Sequence, residues 1–185
     1  MIDLTIIDKS WTLFLDRDGV INHEKEMDYV YSYDEFIFYD RVHEAMRIFN
    51  QVFGKIIVVT NQRGVGRGFM TEESLSAIHD EMTNDISSSG GRIDGIYFCT
   101  ADDNLHPDRK PNHGMAKRAM KDFPEIKMAK SIMVGNNLSD MKFGRNAGMF
   151  TILLKTTLSF PQLPDPLIDL AFEDLYDFAT QLQQP

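Results

Sequence analysis

Short apolar runs alternate along the chain with longer stretches in which apolar residues recur at helical spacing. The runs TLFL (12–15), KIIVVT (55–60), IDGIYFCT (93–100), SIMVG (131–135) and MFTILL (149–154) are rich in branched and aromatic side chains and read as buried strands. Val42, Met46, Phe49 and Phe53 lie on one face of a helix that Asp40 is expected to cap and Gly54 to end. Leu75, Ile78, Met82 and Ile86 mark the inner face of another, opened by Thr71 and closed by SSSGG. Further helices are predicted from about His113 to Phe123, over LSDMKFGRNAG, and at the end of the chain, after the Pro-rich connection SFPQLPDP and an edge strand near IDLAF. YVYSYDEFIFY (29–39), with period-two polarity around Ser32 to Glu35, suits a small hairpin or flap, and TNQRGVGRG a glycine-rich loop.

Strands alternating with helices at this spacing imply βαβ units, and right-handed crossovers then give a parallel sheet with helices on both faces. The polar sets Asp16/Asp18, Thr60/Asn61, Arg109/Lys110 and Asn136/Asp140 each follow the end of a predicted strand or sit in the loop leaving it. In a parallel sheet such loops share one edge, which explains why the buried run TLFL stops at two carboxylates.

At 185 residues, 43% apolar and 25% charged, the chain is expected to form one soluble domain over 1–185. The absence of long apolar runs and of a basic, apolar start in MIDLTIIDKSW points to the cytoplasm and away from membranes. A net charge of −9 without a Lys/Arg cluster argues against nucleic acid, so an anionic substrate needs locally placed cations. The single Cys99 excludes an internal disulfide framework, and no feature fixes the oligomeric state, for which a monomer is the default.

If the crevice binds a phosphate monoester, each residue type has a use. A carboxylate attacks phosphorus only when charge repulsion is neutralised, which calls for a divalent metal and a cation. Asp16 and an oxygen from the 136–140 turn can hold Mg2+, Lys110 can face the phosphoryl oxygens, and Thr60 and Asn61 can orient the group. Asp18 can protonate the leaving alcohol and later deprotonate the attacking water. The bland alternatives are a solvated Arg109/Lys110 pair, against which a Pro immediately after them at a helix start is expected to fix their direction, and an Asp140 that only complements a helix dipole. RGVGRG could cradle phosphate or merely lend flexibility near the flap, and His23, His43, His79 and His113 read as packing or surface residues.

FLDRDGVIN, VVTNQRGVGRG, RKPNHGM and MVGNNLSDM, in this order, resemble the four motifs of the haloacid dehalogenase superfamily of aspartate-based phosphatases, and most closely its histidinol-phosphatase and heptose-bisphosphate-phosphatase branch. The resemblance covers residues 12 to 155. It implies an α/β fold, a Rossmann-like three-layer sandwich with a mainly parallel central sheet and a minimal cap near 20–39. It further implies Mg2+ as cofactor, Asp16 as nucleophile, Asp18 as general acid/base, Thr60 and Lys110 on the phosphate, and Arg109 on the rest of a small phosphorylated metabolite. The metal ligands expected are Asp16, the Asp18 carbonyl and Asn136, with Asp140 in support. TNQRGVGRGFMT is closer to the heptose type, which favours a sugar bisphosphate over histidinol phosphate or another metabolite. The chain departs from its branch at two places. TADDNLHPD is too short for the branch's zinc-binding loop, and Cys99 with His106 leaves a four-ligand zinc site incomplete, so no structural zinc is expected. Asn136 stands where the family has a metal-binding Asp, which keeps open a catalytically weak or silent domain that binds a phosphorylated ligand.

Overall fold

The computed structural model describes residues 2–25, 27–157 and 162–182; residues 159–161 of the Pro-rich connection lie outside that set. The strands are β1 (Thr12–Leu15), β2 (Lys55–Asn61), β3 (Gly95–Cys99), β4 (Ser131–Gly135), β5 (Phe150–Leu154) and β6 (Leu170–Phe172). The helices are α1 (Val42–Val52), α2 (Arg63–Gly66), α3 (Glu72–Ser88), α4 (Gly114–Asp122), α5 (Leu138–Ala147) and α6 (Leu175–Gln181). All six strands are parallel, in the order β3-β2-β1-β4-β5-β6.

Because successive strand residues point to opposite faces, one run fills two cores. Leu13, Leu15, Ile56, Val58, Ile132 and Val134 pack with α1, α3 and α6, whereas Phe14, Ile57, Val59 and Met133 pack with α4 and α5. The continuous apolar runs are thus the signature of strands covered on both sides. Val42, Met46, Phe49 and Phe53 are all fully buried, as their spacing predicts.

β1 is central. The chain leaves it toward β2 on one side and returns on its other side at β4, so the strand order reverses there. That reversal opens a crevice outside the carboxyl ends of the two strands. Register aligns it: Leu15 pairs with Val58 and with Val134, and Asp16 N–H still donates to Val134 O at 3.0 Å.

Several local expectations are corrected. Of the two forms expected for 29–39, residues 21–39 take the flap, near 20–39, rather than a separate hairpin. A 3-10 turn at Tyr33–Glu35 breaks the alternation and lets Phe36 bury, and the flap closes by short antiparallel contacts of 21–23 with 37–39. His23 N donates to Ile37 O at 2.8 Å and Tyr39 N to Ile21 O at 3.1 Å. Asp40 does not cap α1; the N-cap is Arg41, in the left-handed region at φ 58°. The expected glycine-rich loop contains α2, and the two glycines of α2 serve close packing: a Cβ on Gly66 would lie 2.1 Å from Thr100 O, and one on Gly64 would meet the Tyr29 ring at 3.0 Å. Pro111 is not at a helix start, since α4 begins at Gly114.

Candidate active site

Asp16, Asp18, Thr60, Asn61, Arg109, Lys110, Asn136 and Asp140, all expected together from sequence, line one crevice of about 290 Å³. A larger cavity of about 400 Å³ at the opposite edge is lined by Lys9, Lys55, Lys127 and Lys130. Lysines are at home there because that edge collects helix C-termini: Lys9 Nζ donates to Asn50 O at 2.6 Å and Phe53 O at 3.2 Å at the end of α1.

At the centre of the crevice Lys110, 2% exposed, lies 2.8 Å from Asp16 Oδ1 and 2.7 Å from Asp140 Oδ1. Burial alone would push Lys110 down, but Asp140 and Asp16 outweigh it and hold its pKa above the ordinary value. Asp16 is pushed up to about 7, first by burial and further by Asp140 and Asp18, against the pull of Lys110. Asp16 Oδ1 also accepts Arg17 N–H at 2.7 Å. No described residue donates to Oδ2, which leaves that oxygen for a ligand.

The aim of Lys110 comes from Asn61, whose amide clamps its backbone: Oδ1 accepts Lys110 N–H at 3.0 Å and Nδ2 donates to Lys110 O at 3.3 Å. Asn61 therefore acts on Lys110 as well as facing the crevice. Asp140 serves two ends at once. Its Oδ2 completes a capping box on α5 with Asn137, accepting Asn137 N–H at 3.1 Å, while Oδ1 faces Lys110. Gly135 makes room for it, because a Cβ there would lie 2.3 Å from Asp140 Cβ.

Asp18 sits in a different environment two residues from Asp16. Arg17 Nη2 reaches its two oxygens at 2.9 and 3.0 Å, Asn22 Nδ2 donates at 2.9 Å, and Gln62 Nε2 at 2.8 Å. Burial works to raise the Asp18 carboxyl, but the Arg17 charge and these donors outweigh it and hold it below the ordinary carboxylate range. Gln62 also donates to Thr60 Oγ1 at 2.8 Å. Arg17, 1% exposed, is among the largest buried side chains; Phe36 of the flap lies under its guanidinium, and its Nη1 sits 3.1 Å from His79 Nε2. Burial and Arg17 push the His79 pKa down to about 3, so the ring is neutral and accepts from Arg17.

The sequence reading missed Arg17, Asn22, Gln62 and His79. Two signals were available. A cation stands between the two acids of LDRD, and His79 interrupts the apolar stripe of α3 between Ile78 and Met82. Glu24, also missed, lines the same crevice. Burial and the Asp18 charge raise its pKa, opposed by a hydrogen bond from the Asn136 side chain.

At the mouth, half-buried Arg109 donates to Ala101 O at 3.1 Å, and Asp102 joins Arg63 and Arg67 at 2.8 and 3.0 Å. Cys99 Sγ and His106 Nδ1 do approach, at 3.5 Å, but His106 Nδ1 also accepts Asp108 N–H at 3.2 Å. Among the described residues no three His, Cys, Asp or Glu side chains gather to hold a metal.

A hard cation can still be served by oxygens of other kinds: the Asp16 carboxylate, the Asp18 carbonyl, which accepts no hydrogen bond from the described residues, and the Asn136 amide. Asn136 is buried beside the turn after β1, where Gly19 has φ +82° and a Cβ would lie 1.9 Å from Asn136 Nδ2. That all-oxygen set, with few charges, fits Mg2+, which keeps several of its waters.

A family model described as HAD-hydrolase-like matches residues 108–166. The D-glycero-alpha-D-manno-heptose-1,7-bisphosphate 7-phosphatase of Burkholderia mallei is 37% identical over 158 residues, covering 79% of this chain and 80% of that protein. The D-glycero-beta-D-manno-heptose-1,7-bisphosphate 7-phosphatase of Yersinia pestis is 36% identical over 157 residues, covering 78% and 80%. Among solved structures, the D,D-heptose 1,7-bisphosphate phosphatase from B. bronchiseptica, complexed with magnesium and phosphate, superposes with a TM-score of 0.83 at 31% identity, covering 94% of this chain and 98% of that one.

Proposed function

The chain belongs to the haloacid-dehalogenase-like phosphatases, and from that premise we propose that it hydrolyses one phosphate of a heptose-1,7-bisphosphate-like sugar through an aspartyl phosphate on Asp16. The observation that carries this reading is the Asp16–Lys110–Asp140 contact at the crevice, with Asp18 held apart in its own network.

Asp16 attacks phosphorus with its uncommitted Oδ2. The bond to the sugar oxygen breaks, and the leaving alcohol takes a proton from Asp18. Water then attacks the phosphorus of the aspartyl phosphate, returns a proton to Asp18, and frees phosphate and Asp16. Lys110 balances charge on the phosphoryl oxygens and is kept on target by Asn61 and Asp140. The hold of Arg17, Asn22 and Gln62 favours ionised Asp18, the form that accepts the proton from water. Asp16, the Asp18 carbonyl and the Asn136 amide are the residues that would hold Mg2+; when bound, it stabilises ionised Asp16 and offsets the negative charge of the phosphate. Arg109, with Arg63 and Arg67 beside it, supplies binding energy for the part of the substrate away from the reacting phosphorus.

The relatives act, by name, on either the alpha or the beta heptose bisphosphate. The test is release of orthophosphate from both anomers, histidinol phosphate and p-nitrophenyl phosphate, with Mg2+ and with chelator. Preferential, Mg2+-dependent turnover of a heptose bisphosphate is expected. A preference for histidinol phosphate would overturn the substrate, and no turnover of any ester at saturating Mg2+ would leave a silent ligand-binding domain.

A further inference from the structure

Arg17 stands next to Asp18 in the chain, and a side chain so long and so rich in rotamers holds its neighbour only as firmly as its own far end is held. The near edge of the guanidinium is engaged by Asp18: Nε lies 3.3 Å from Oδ1, and Nη2 lies 2.9 and 3.0 Å from Oδ1 and Oδ2. The remaining nitrogen is fixed from a different element. Nη1 lies 3.1 Å from Nε2 of His79, on α3.

Arginine offers only N–H groups, so His79 Nε2 is the acceptor and the ring carries its proton on Nδ1. The pair is enclosed: both side chains are buried, the Phe98 ring of β3 lies 5.6 Å from the imidazole, and Phe36 of the flap lies under the guanidinium. A buried guanidinium N–H left without a partner is costly, which favours the one pose in which His79 and Asp18 are both satisfied. We propose that His79 is the positioning residue for proton transfer to the leaving alcohol: it holds the outer end of Arg17, and Arg17 in turn aims the Asp18 carboxyl at the departing oxygen. The inference rests on the phosphatase reading, in which Asp16 Oδ2 bonds to phosphorus, the bond from phosphorus to the sugar oxygen breaks, and Asp18 gives its proton to that oxygen. Misplacing a reacting group by about 1 Å costs about 10²-fold. Here the loss falls only where the proton is needed. A sugar alkoxide is a poor leaving group without one, whereas p-nitrophenolate departs as a stable anion.

The experiment measures kcat/KM at saturating Mg2+ for the wild-type protein, His79→Leu and His79→Gln, each checked for native circular dichroism. The substrates are p-nitrophenyl phosphate and whichever of two alkyl esters, a heptose bisphosphate or histidinol phosphate, the wild-type protein turns over faster. Leucine fills the space without an acceptor, and glutamine restores one. The ratio kcat/KM covers only the steps up to the aspartyl phosphate, in which Asp18 acts as acid. His79→Leu should lower it about tenfold or more on the alkyl ester but less than about threefold on p-nitrophenyl phosphate, and His79→Gln should return the alkyl ester to within about threefold of the wild-type value. If the leucine variant does not fold, His79→Ala is read in the same way. Equal losses on both esters would reduce His79 to a structural role and overturn the proposal, as would no loss on either, or a glutamine variant as impaired as the leucine one. Wild-type protein that cleaves p-nitrophenyl phosphate but neither alkyl ester would overturn it too, since no leaving alcohol then needs the proton. Wild-type protein inactive on all three esters would overturn the phosphatase reading as well; an active wild-type protein with an unselective His79→Leu defeats the inference alone.

Discussion

Replacing His79 by Gln removes a titrating group while keeping an acceptor for Arg17 Nη1, which now lies 3.1 Å from His79 Nε2. In the fold His79 ionises at about 3, against 6.5 as its ordinary value, because burial and the adjacent Arg17 charge both oppose a second cation. The folded value is depressed, so the unfolded chain binds a proton that the fold refuses. Stability from this residue is therefore full above pH 6.5 and is lost as pH falls toward 3. The cost is small at pH 7 and about 2 kcal/mol at pH 5. Asp16 works in the opposite sense. Its folded value, raised from 3.8 to about 7, lets the fold take up a proton over the same window, so this contribution grows as pH falls. The two contributions oppose each other in the parent, and the information lies in the difference between variant and parent, from which the Asp16 contribution cancels. Urea unfolding followed by the fluorescence of buried Trp11, in metal-free buffer, measures that difference. Between pH 7 and pH 5, His79→Gln should gain about 2 kcal/mol on the parent. A difference that does not change with pH would mean that His79 takes up its proton as readily in the fold as in the unfolded chain, and the neutral-acceptor account of the Arg17 contact would be wrong.

Asp16→Asn should lower turnover of every phosphate ester by about 10³-fold or more while circular dichroism stays native, since no neighbour can replace the attacking oxygen; activity within about tenfold of the parent would exclude Asp16 as nucleophile. Lys110→Met leaves Asp16 and Asp140 buried without their shared cation, and should cost about 3 to 5 kcal/mol in denaturant unfolding at pH 8, less at pH 5 where Asp16 takes up a proton. Arg109→Ala should reduce kcat/KM for a heptose bisphosphate far more than for p-nitrophenyl phosphate; equal losses on both would remove it from substrate recognition. Gln62→Leu takes one donor from Asp18 and should move the pH dependence of kcat that belongs to Asp18 upward, with KM little changed; an unmoved profile would show that Gln62 does not set the ionisation of Asp18.

The alternation of apolar runs with helical stretches, and the polar residues that follow each run, are local properties of the chain, and they sufficed to place the strands, the parallel sheet and the eight residues that meet in the crevice. Backbone geometry explains why: a parallel strand covered on both faces must be apolar throughout, and its end must leave the sheet on the same edge as its neighbours. The misses share a different cause. Arg41 in place of Asp40 at the start of α1, with its guanidinium over the Tyr176 ring, and the glycines of α2 packed beneath Tyr29 and against Thr100 both involve contacts with distant segments. So does the division of labour between two like carboxylates. Asp16 and Asp18 are the same residue two positions apart, and nothing local distinguishes them. Folding brings Lys110 and Asp140 to one, and Arg17, Gln62 and, through Arg17, His79 to the other. Electrostatic energy depends on distance and on exclusion of water, neither of which exists until the loops after β1, β2 and β4 have closed on one another, so the ionisation of each acid is a property of the assembled crevice alone.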